Sequence, residues 1–198
     1  MQQVVVIHGG NAFENYQDYL ASLKSRDVSL EDLRRKDWKG SLATSLGDKF
    51  DILTPRMPNS NNARYLEWKI YFENLLPLFD EDIILVGHSL GGIFLAKYLS
   101  ENKYPKNIKA IFLIAAPFNT KIRHPLVDFN LTPPLIRLKN QAGKVFIYHS
   151  IDDKVVHMAN SKFYLKELPE AVMRSFTDRG HFNFESLPEL VDDLKSFI

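Results

Sequence analysis

The 198-residue chain contains no cysteine, and this absence excludes several kinds of site. Without thiols there is no disulfide, no thiolate metal centre and no cysteine nucleophile. The lack of disulfides fits a reducing compartment, so a cytoplasmic location is expected. The opening three residues carry no basic side chain, and the apolar run at 4–7 is too short for a secretory signal, which agrees with that expectation.

An excess of either charge sign is also missing, since 25 Lys and Arg stand against 24 Asp and Glu, for a net charge of +1. A nucleic acid or an anionic membrane would favour a basic surface, whereas the short basic run at 34–36 lies among acidic residues. No segment has the length of a transmembrane helix, and no histidine-containing pattern has metal-ligand spacing. We therefore expect no nucleic acid, membrane, metal or cofactor, and the oligomeric state stays open.

Short apolar runs alternate with segments of helical periodicity along the chain. The runs predict six strands, at 4–7, 51–54, 82–86, 108–115, 144–149 and 171–176. Strands that are apolar nearly throughout and joined by helices indicate a parallel sheet covered on both faces. We predict a three-layer α/β/α fold with a mainly parallel six-stranded sheet, in one domain that spans residues 1–198. The long connection at 117–143 is either a small cap or a loop packed on the core.

Apolar side chains between these runs recur at helical spacing. One stripe has spacings of four, three and four and predicts a buried helix face, formed by Trp68, Phe72, Leu75 and Phe79. An earlier face follows the first strand and consists of Phe13, Tyr16, Leu20 and Leu23. Near the end of the chain, Ser186 and Glu189 have the spacing of a capping box, which predicts the start of a final helix.

The most informative motif is Gly-His-Ser-Leu-Gly at residues 87–91. It follows an apolar run and precedes an amphipathic stretch, which is the strand–turn–helix setting of the Gly-x-Ser-x-Gly pattern. The turn exposes the serine hydroxyl at the tip of the strand, next to the free N–H groups and positive dipole end of the helix. This arrangement suits attack on an acyl carbonyl and predicts Ser89 as a nucleophile.

A serine hydroxyl needs a base, and the base needs an orienting carboxylate. On this kind of sheet the acid and then the histidine follow the serine along the chain. His181, which comes after Gly180 in the loop behind the last strand, is the predicted base. Asp152 and Asp153 after the fifth strand are both candidates for the acid, and only one can reach His181 because adjacent side chains point apart. Supporting or loop positions are expected for three further histidines, His124, His149 and His157.

An oxyanion hole needs two N–H donors. Leu90, the residue after the nucleophile, is predicted to supply one. The loop at 8–11 after the first strand should supply the other through Gly10 or Asn11, because its two glycines let the backbone approach a substrate closely. His8 is predicted to have a structural role beside this loop.

The walls of the substrate pocket are predicted from neighbouring strand ends, and the candidates are Arg56, Met57, His88 and Phe118. Arg56 follows the second strand and has two interpretations. It either binds a carboxylate of the substrate or is an exposed or ion-paired arginine.

Taken together, these motifs resemble those of the α/β-hydrolases, and more narrowly the small single-domain serine hydrolases related to retinoblastoma-binding protein nine. The segments that carry the resemblance lie at 5–10, 55–58, 87–92, 115–118, 152–153 and 180–182. The resemblance implies an esterase-like enzyme with no cofactor, which acts on a small ester, thioester or amide. It also implies Ser89 as nucleophile, His181 as base and Asp153 as the acid of an Asp-Pro-x-Val pattern, although Lys154 stands where proline is usual.

The family name suggests the retinoblastoma protein as a partner, bound through a Leu-x-Cys-x-Glu motif. That motif needs a cysteine, which this chain lacks, so the partner is not implied. A small-molecule acyl substrate is the expected partner. The alternative function is a binding or regulatory protein that keeps the fold with little turnover and has a triad too loose for proton transfer. A relative that transfers acyl groups to other acceptors is a further alternative.

Overall fold

A computed structural model describes residues 1–34, 36–119 and 125–198. Its strands are β1 (Gln2–Ile7), β2 (Phe50–Leu53), β3 (Asp82–His88), β4 (Asn107–Ile114), β5 (Ala142–Ser150) and β6 (Val172–Phe176). Its helices are α1 (Tyr16–Lys24), α2 (Leu30–Arg34), α3 (Trp38–Leu46), α4 (Tyr65–Leu75), α5 (Leu90–Glu101), α6 (Ile136–Gln141), α7 (Ala159–Glu167) and α8 (Pro188–Lys195). Each of the six predicted strands is confirmed, with ends shifted by no more than two residues.

The six strands form one parallel sheet in the order β2-β1-β3-β4-β5-β6. The chain order reverses at β1, so the crevice beside β1 and β3 is a topological switch point, where ligands bind in open α/β sheets. Ile7 of β1 is paired with Gly87 of β3. The loop that starts at His8 therefore leaves the sheet next to the turn that carries Ser89.

Both faces of the sheet are buried, which explains why the strands are apolar nearly throughout. Along β3, Ile83 and Leu85 join one hydrophobic cluster while Ile84 and Val86 join the other. The first cluster includes side chains of α4 and α5, and the second includes side chains of α3 and α8. The predicted three-layer arrangement with a parallel sheet is confirmed.

Two predicted helix faces extend beyond the helices themselves. Trp68 and Phe72 are fully buried in α4, but the helix ends before Pro77, which has no N–H to continue it. Phe79 is buried outside the helix. Helix α1 begins at Tyr16, because the side chain of Asn15 accepts a hydrogen bond from the N–H of Asp18 and caps it. Phe13 therefore lies before α1, and no residue of α1 is buried.

The predicted capping box at the last helix is wrong. Leu187 occupies the N-cap position of α8, no side chain caps the helix, and Pro188 starts its first turn. Proline suits this position because the N–H it lacks would have had no partner within the helix. The apolar face itself is present, since Leu190 and Leu194 are buried against the sheet.

The described part of the connection at 117–143 packs on the core. Its apolar side chains belong to the same cluster as α4 and α5, and they are Phe118, Leu126, Phe129, Leu131, Leu135 and Leu138. Asp128 also accepts a hydrogen bond from the N–H of Tyr65 at 2.9 Å, which fastens the connection to the start of α4. These contacts pack the described part of the connection on the core, and residues 120–124 lie outside the described part.

Candidate active site

Ser89 occupies the sharp turn between β3 and α5. Its φ of 54° and ψ of −120° are strained for a residue with a side chain. The N–H of Ser89 donates to the carbonyl of Ile114 at 2.8 Å, and its carbonyl accepts from the N–H of Gly92 at 2.9 Å. A Cβ on Gly87 would lie 2.6 Å from the carbonyl oxygen of Gly91, closer than real Cβ contacts allow. The glycine spacing is thus what permits the strained turn.

Three residues distant in sequence form one chain of hydrogen bonds. Nε2 of His181 lies 2.9 Å from Oγ of Ser89, and Nδ1 of His181 lies 2.8 Å from Oδ2 of Asp153. A neutral ring with its proton on Nδ1 donates to Asp153 and leaves Nε2 to accept from the serine hydroxyl. An imidazole placed in this way can take the serine proton as the hydroxyl attacks a carbonyl carbon.

The carboxylate at the end of this chain is held firmly. The Asp153 side chain is fully buried, and Oδ1 accepts hydrogen bonds from the N–H groups of Val155 at 2.8 Å and Val156 at 2.9 Å. These bonds fix the carboxyl group and leave Oδ2 for His181. A buried carboxylate with both oxygens bonded has one orientation, which it imposes on the imidazole.

The neighbouring aspartate points to the backbone of the same loop. Asp152 accepts from the N–H of Gly180 at 2.9 Å and from the hydroxyl of Ser150. The Ser150 hydrogen bond is the main reason that the pKa of Asp152 lies below its ordinary value. The Ser150 hydroxyl oxygen in turn accepts from the N–H of Arg179 at 3.0 Å. Of the two sequence candidates, Asp153 contacts the imidazole and Asp152 supports the loop that carries it.

Two aromatic side chains from other elements also support the His181 loop. Nε2–H of His88 donates to the carbonyl of His181 at 2.9 Å, and Nε1–H of Trp38 donates to the carbonyl of Phe182 at 3.0 Å. Burial, reinforced by the positive charge of Lys39, lowers the pKa of His88 well below its ordinary value. His88 is therefore neutral and acts as a hydrogen-bond donor inside the protein.

The candidate oxyanion donors do not all have a free N–H. Within the described ranges, the N–H groups of Leu90 and Gly10 have no acceptor in the protein, and both residues line the same cleft as Ser89. The expectation for Asn11 is not met, because its N–H donates to the carbonyl of Ser60 at 2.9 Å. Leu90 begins α5, whose unpaired N–H groups and positive dipole end favour a developing negative charge.

His8 holds the glycine loop in place. Its Nε2 accepts from the N–H of Met57 at 2.9 Å, and its Nδ1–H donates to the carbonyl of Gly9 at 2.6 Å. The loop after β2 is thereby fastened to the loop after β1. Met57 is buried and contributes through its backbone, so it supports the cleft instead of lining it.

Of the remaining predicted pocket residues, one lies in the wall of the cleft and two lie outside it. His88 lines the cleft, whereas Arg56 is exposed and outside it. Phe118 is buried under the rings of Phe163 and Tyr164, with centroids 5.7 Å and 4.8 Å away, and does not line the cleft either. The structure therefore places Arg56, Met57 and Phe118 outside the wall of this cleft, with Met57 and Phe118 buried and Arg56 exposed.

The cleft around Ser89 has a volume of about 440 Å³. Besides the residues already placed, its walls include Asp37, Lys39, Pro117, Pro125, Leu126 and Asn183. Sequence reasoning missed Asp37 and Lys39, which lie at the start of α3 far from every motif. The signal for them in the sequence is Asp37, a residue type common at N-caps, and such a signal points to a helix start and not to a site.

The other histidines after the serine have supporting or exposed positions. His149 is buried, and its Nε2–H donates to the carbonyl of Val156 at 2.7 Å while lying 3.9 Å from Asp153. Burial lowers the pKa of His149. His157 is exposed, and its Nδ1 accepts from the N–H of Ala159 at 3.1 Å. His124 lies outside the described residues.

Two kinds of feature are absent from the part of the chain that the structure describes. No helix there is long and apolar enough to cross a membrane. No group of three or more histidine, aspartate or glutamate side chains there is arranged to hold a metal ion.

Comparison with known proteins identifies the family of this chain. Residues 29–192 match the model of a family described as serine hydrolase. The chain belongs to the serine hydrolase family. Serine hydrolase RBBP9 of Rattus norvegicus is 26% identical over 152 residues, which cover 75% of this chain and 78% of the rat protein. The resemblance inferred from the sequence is thereby confirmed.

Solved structures similar to this family member share its fold. The ydeN gene product of B. subtilis has a TM-score of 0.77 and 21% identity, with 100% of this chain and 98% of that one covered. A putative yden-like hydrolase of Pectobacterium atrosepticum has a TM-score of 0.63 and 13% identity, with coverages of 99% and 90%. At these identities the likeness establishes the architecture, and the chemistry must be argued from the site.

Proposed function

We propose that this chain hydrolyses small esters, thioesters or amides through a covalent acyl-enzyme, with Ser89 as nucleophile, His181 as base and Asp153 as orienting acid. The observation that carries the proposal is the hydrogen-bonded chain from Ser89 Oγ through His181 to the buried Asp153, at 2.9 Å and 2.8 Å. Its membership of the serine hydrolase family supports the same chemistry. A carboxylic ester is the favoured substrate type.

In the first half-reaction, Oγ of Ser89 forms a bond to the acyl carbon while Nε2 of His181 takes the hydroxyl proton. The N–H groups of Leu90 and Gly10 stabilise the negative charge that develops on the carbonyl oxygen. When the bond to the leaving group breaks, His181 returns the proton to it, and the acyl group stays on Ser89.

In the second half-reaction, water replaces the alcohol, thiol or amine. His181 takes a proton from the water as its oxygen attacks the acyl carbon, and then gives that proton to the departing Ser89 oxygen. Asp153 keeps the proton of the resting imidazole on Nδ1 and stabilises the imidazolium that forms in both halves. The enzyme is regenerated with the net consumption of one water molecule.

Hydrolysis of 4-nitrophenyl esters of increasing chain length tests this proposal. We expect a burst of nitrophenol equal to the enzyme concentration when deacylation is slow, followed by steady turnover. Ser89→Ala should reduce turnover by on the order of 10⁴ or more, because the three residues act as a unit. Ser196→Ala, which changes an exposed serine at the end of α8, is the matched control and should leave turnover intact. Turnover that survives Ser89→Ala would contradict the proposal.

The alternative of a binding protein with little turnover predicts a serine–histidine contact too long for proton transfer. The 2.9 Å contact and the strained turn at Ser89 favour the enzyme instead. The acyltransferase alternative differs only in the acceptor. Product analysis with a competing alcohol separates it from hydrolysis, since transfer yields a new ester where hydrolysis yields the free acid.

A further inference from the structure

The start of α3 contributes charged side chains to the wall of the cleft. Among the described residues that line it, histidines apart, Asp37 and Lys39 are the ionisable ones. The rest of the wall combines apolar side chains with glycine backbone and two asparagines, Asn11 and Asn183. A cation in such a wall can favour the binding of substrates that carry a negative charge.

The Lys39 ammonium is held in a fixed position and is largely buried. Its Nζ lies 2.7 Å from Oδ2 of Asp37 and 4.9 Å from the centroid of the Trp38 ring, and its side chain is 15% exposed. An ammonium has three N–H donors. Within the described residues Asp37 is its single ion-pair partner, so donors are left for water or for a molecule in the cleft.

Asp37 fixes the position of this cation at the start of α3. Oδ1 of Asp37 accepts from the N–H of Gly40 at 3.2 Å as the cap of α3, and Oδ2 bonds Lys39. Burial would raise the pKa of Asp37, but the hydrogen bond and charge of Lys39 lower it below its ordinary value. The Asp37 side chain is 40% exposed, so water screens its charge more strongly than that of Lys39.

Lys39 also lies near His88, which supports the His181 loop. Its charge reinforces the effect of burial on the pKa of His88, which donates to the carbonyl of His181. The backbone N–H of Trp38 donates to the carbonyl of Phe184 at 2.8 Å, and its indole N–H bonds the carbonyl of Phe182. Asn183, between those two residues, is therefore next to the start of α3 and lines the same cleft.

We propose that Lys39, with the amide of Asn183 as a second donor, selects substrates that carry a carboxylate in addition to the acyl group that reacts. A carboxylate has two oxygens, one for the ammonium and one for the amide, and charge-assisted hydrogen bonds of this kind are strong. The inference rests on the proposed hydrolase function and names a substrate class for the same cleft. It transfers to Lys39 the role considered for Arg56, which is exposed and outside the cleft.

Two pairs of esters test this selection on the whole protein. The first pair is the 4-nitrophenyl monoester of adipic acid and its methyl ester, which differ in a charge on the acyl side. The second pair is 4-nitrophenyl butyrate with and without a carboxyl group on the nitrophenyl ring, which places the charge on the leaving group. We expect the acidic member of one pair to have a kcat/KM about 10-fold or more above that of the neutral member.

In Lys39→Met this ratio should fall to about one, and in Asn183→Ala it should fall in part. Asn183 is exposed, so its variant keeps the test open even if Lys39→Met does not fold. Lys195→Met, at an exposed lysine of α8 outside the cleft, should keep the full ratio. Hydrolysis is measured after subtraction of the uncatalysed rate.

The outcomes separate the two proposals. If Ser89-dependent hydrolysis occurs without an acid preference in either pair, or with one that survives both variants, the inference about Lys39 is overturned and the hydrolase function stands. If hydrolysis is absent or persists in Ser89→Ala, the proposed function fails and the substrate class fails with it.

Discussion

The turn at Ser89 and the loop at His181 bring the reacting side chains together, and they are built in different ways. The turn is defined within a few residues, because Gly87 and Gly91 leave room for backbone that any Cβ would strike. The loop is defined from a distance, since its backbone is held by His88, Trp38 and Asp152 from three other elements. One half of the site is therefore part of the sheet, and the other half depends on its neighbours.

This difference has a mechanical consequence. A change in the turn alters the path of the chain between β3 and α5 and so affects the core. A change at Asp152, the exposed support of the loop, alters mainly the aim of the imidazole, whose distance to Ser89 determines proton transfer. Stability and activity should therefore respond separately in the two regions.

The largest expected effect on activity comes from Asp153→Asn. The asparagine amide in place of Oδ2 favours the wrong tautomer of His181, so that Nε2 carries the proton and cannot accept from Ser89. We expect kcat to fall by on the order of 10⁴. Steady-state kinetics with a 4-nitrophenyl ester measures this. A loss of less than tenfold would mean that Asp153 is not the orienting acid.

A test of the turn is Gly87→Ala, which changes stability first. The new Cβ would lie 2.6 Å from the carbonyl oxygen of Gly91 and 2.6 Å from Cα of Gly92, and neither backbone atom can move freely. We expect the free energy of unfolding to fall by roughly 1–3 kcal/mol or more, together with activity. Urea denaturation measures this, with Gly40→Ala, where a Cβ meets nothing within 4 Å, as the control.

A pH dependence should reveal the two buried histidines that support the site. Burial lowers the pKa values of His88 and His149, so the unfolded chain binds protons that the folded chain does not when the pH falls below about 6.5. Stability should therefore decrease as the pH falls, by up to about 1.4 kcal/mol per pH unit for each group. Urea denaturation from pH 8 to pH 5 measures the slope.

The matching variant for this slope is His88→Gln, whose amide can still donate to the carbonyl of His181 but does not titrate. This variant should remove the contribution of His88 to the pH dependence of the free energy of unfolding. A slope that stays the same in this variant would show that His88 is not a source of the acid sensitivity.

The smallest expected effect is that of Asp152→Ala, which removes the acceptor for the N–H of Gly180. The His181 loop should loosen, so that kcat falls a few-fold while the free energy of unfolding changes little. Kinetics and urea denaturation of the same samples check both parts. If Asp152→Ala reduced kcat as strongly as Asp153→Asn, the distinction between a contact with the imidazole and a support of its loop would be lost.

The same contrast explains what the sequence could predict. The six strands and the turn at Ser89 follow from local patterns, since apolar runs and glycine spacing act over a few residues. Reasoning from the residues alone leaves the choice between Asp152 and Asp153 undecided, because the direction of each side chain depends on how the end of β5 bends. The resemblance to a known family favoured Asp153, and the contact with His181 agrees with it.

The pocket walls were predicted least well, for a physical reason. Lys39 reaches the cleft because Trp38 packs against the loop at 182–184, a contact between residues about 140 positions apart in the chain. The loss of Asn11 as a donor likewise depends on Ser60, in another loop. The residues next to Lys39 and Asn11 in the sequence do not indicate such contacts.

The account rests on a serine made reactive by an imidazole, and covalent labelling tests this most directly. A fluorophosphonate probe, located by mass spectrometry after proteolysis, should give one adduct on Ser89. In His181→Ala the rate of labelling should fall by about 10³-fold or more, because the hydroxyl then has no base. An adduct on another residue, or an equal rate in His181→Ala, would contradict the account.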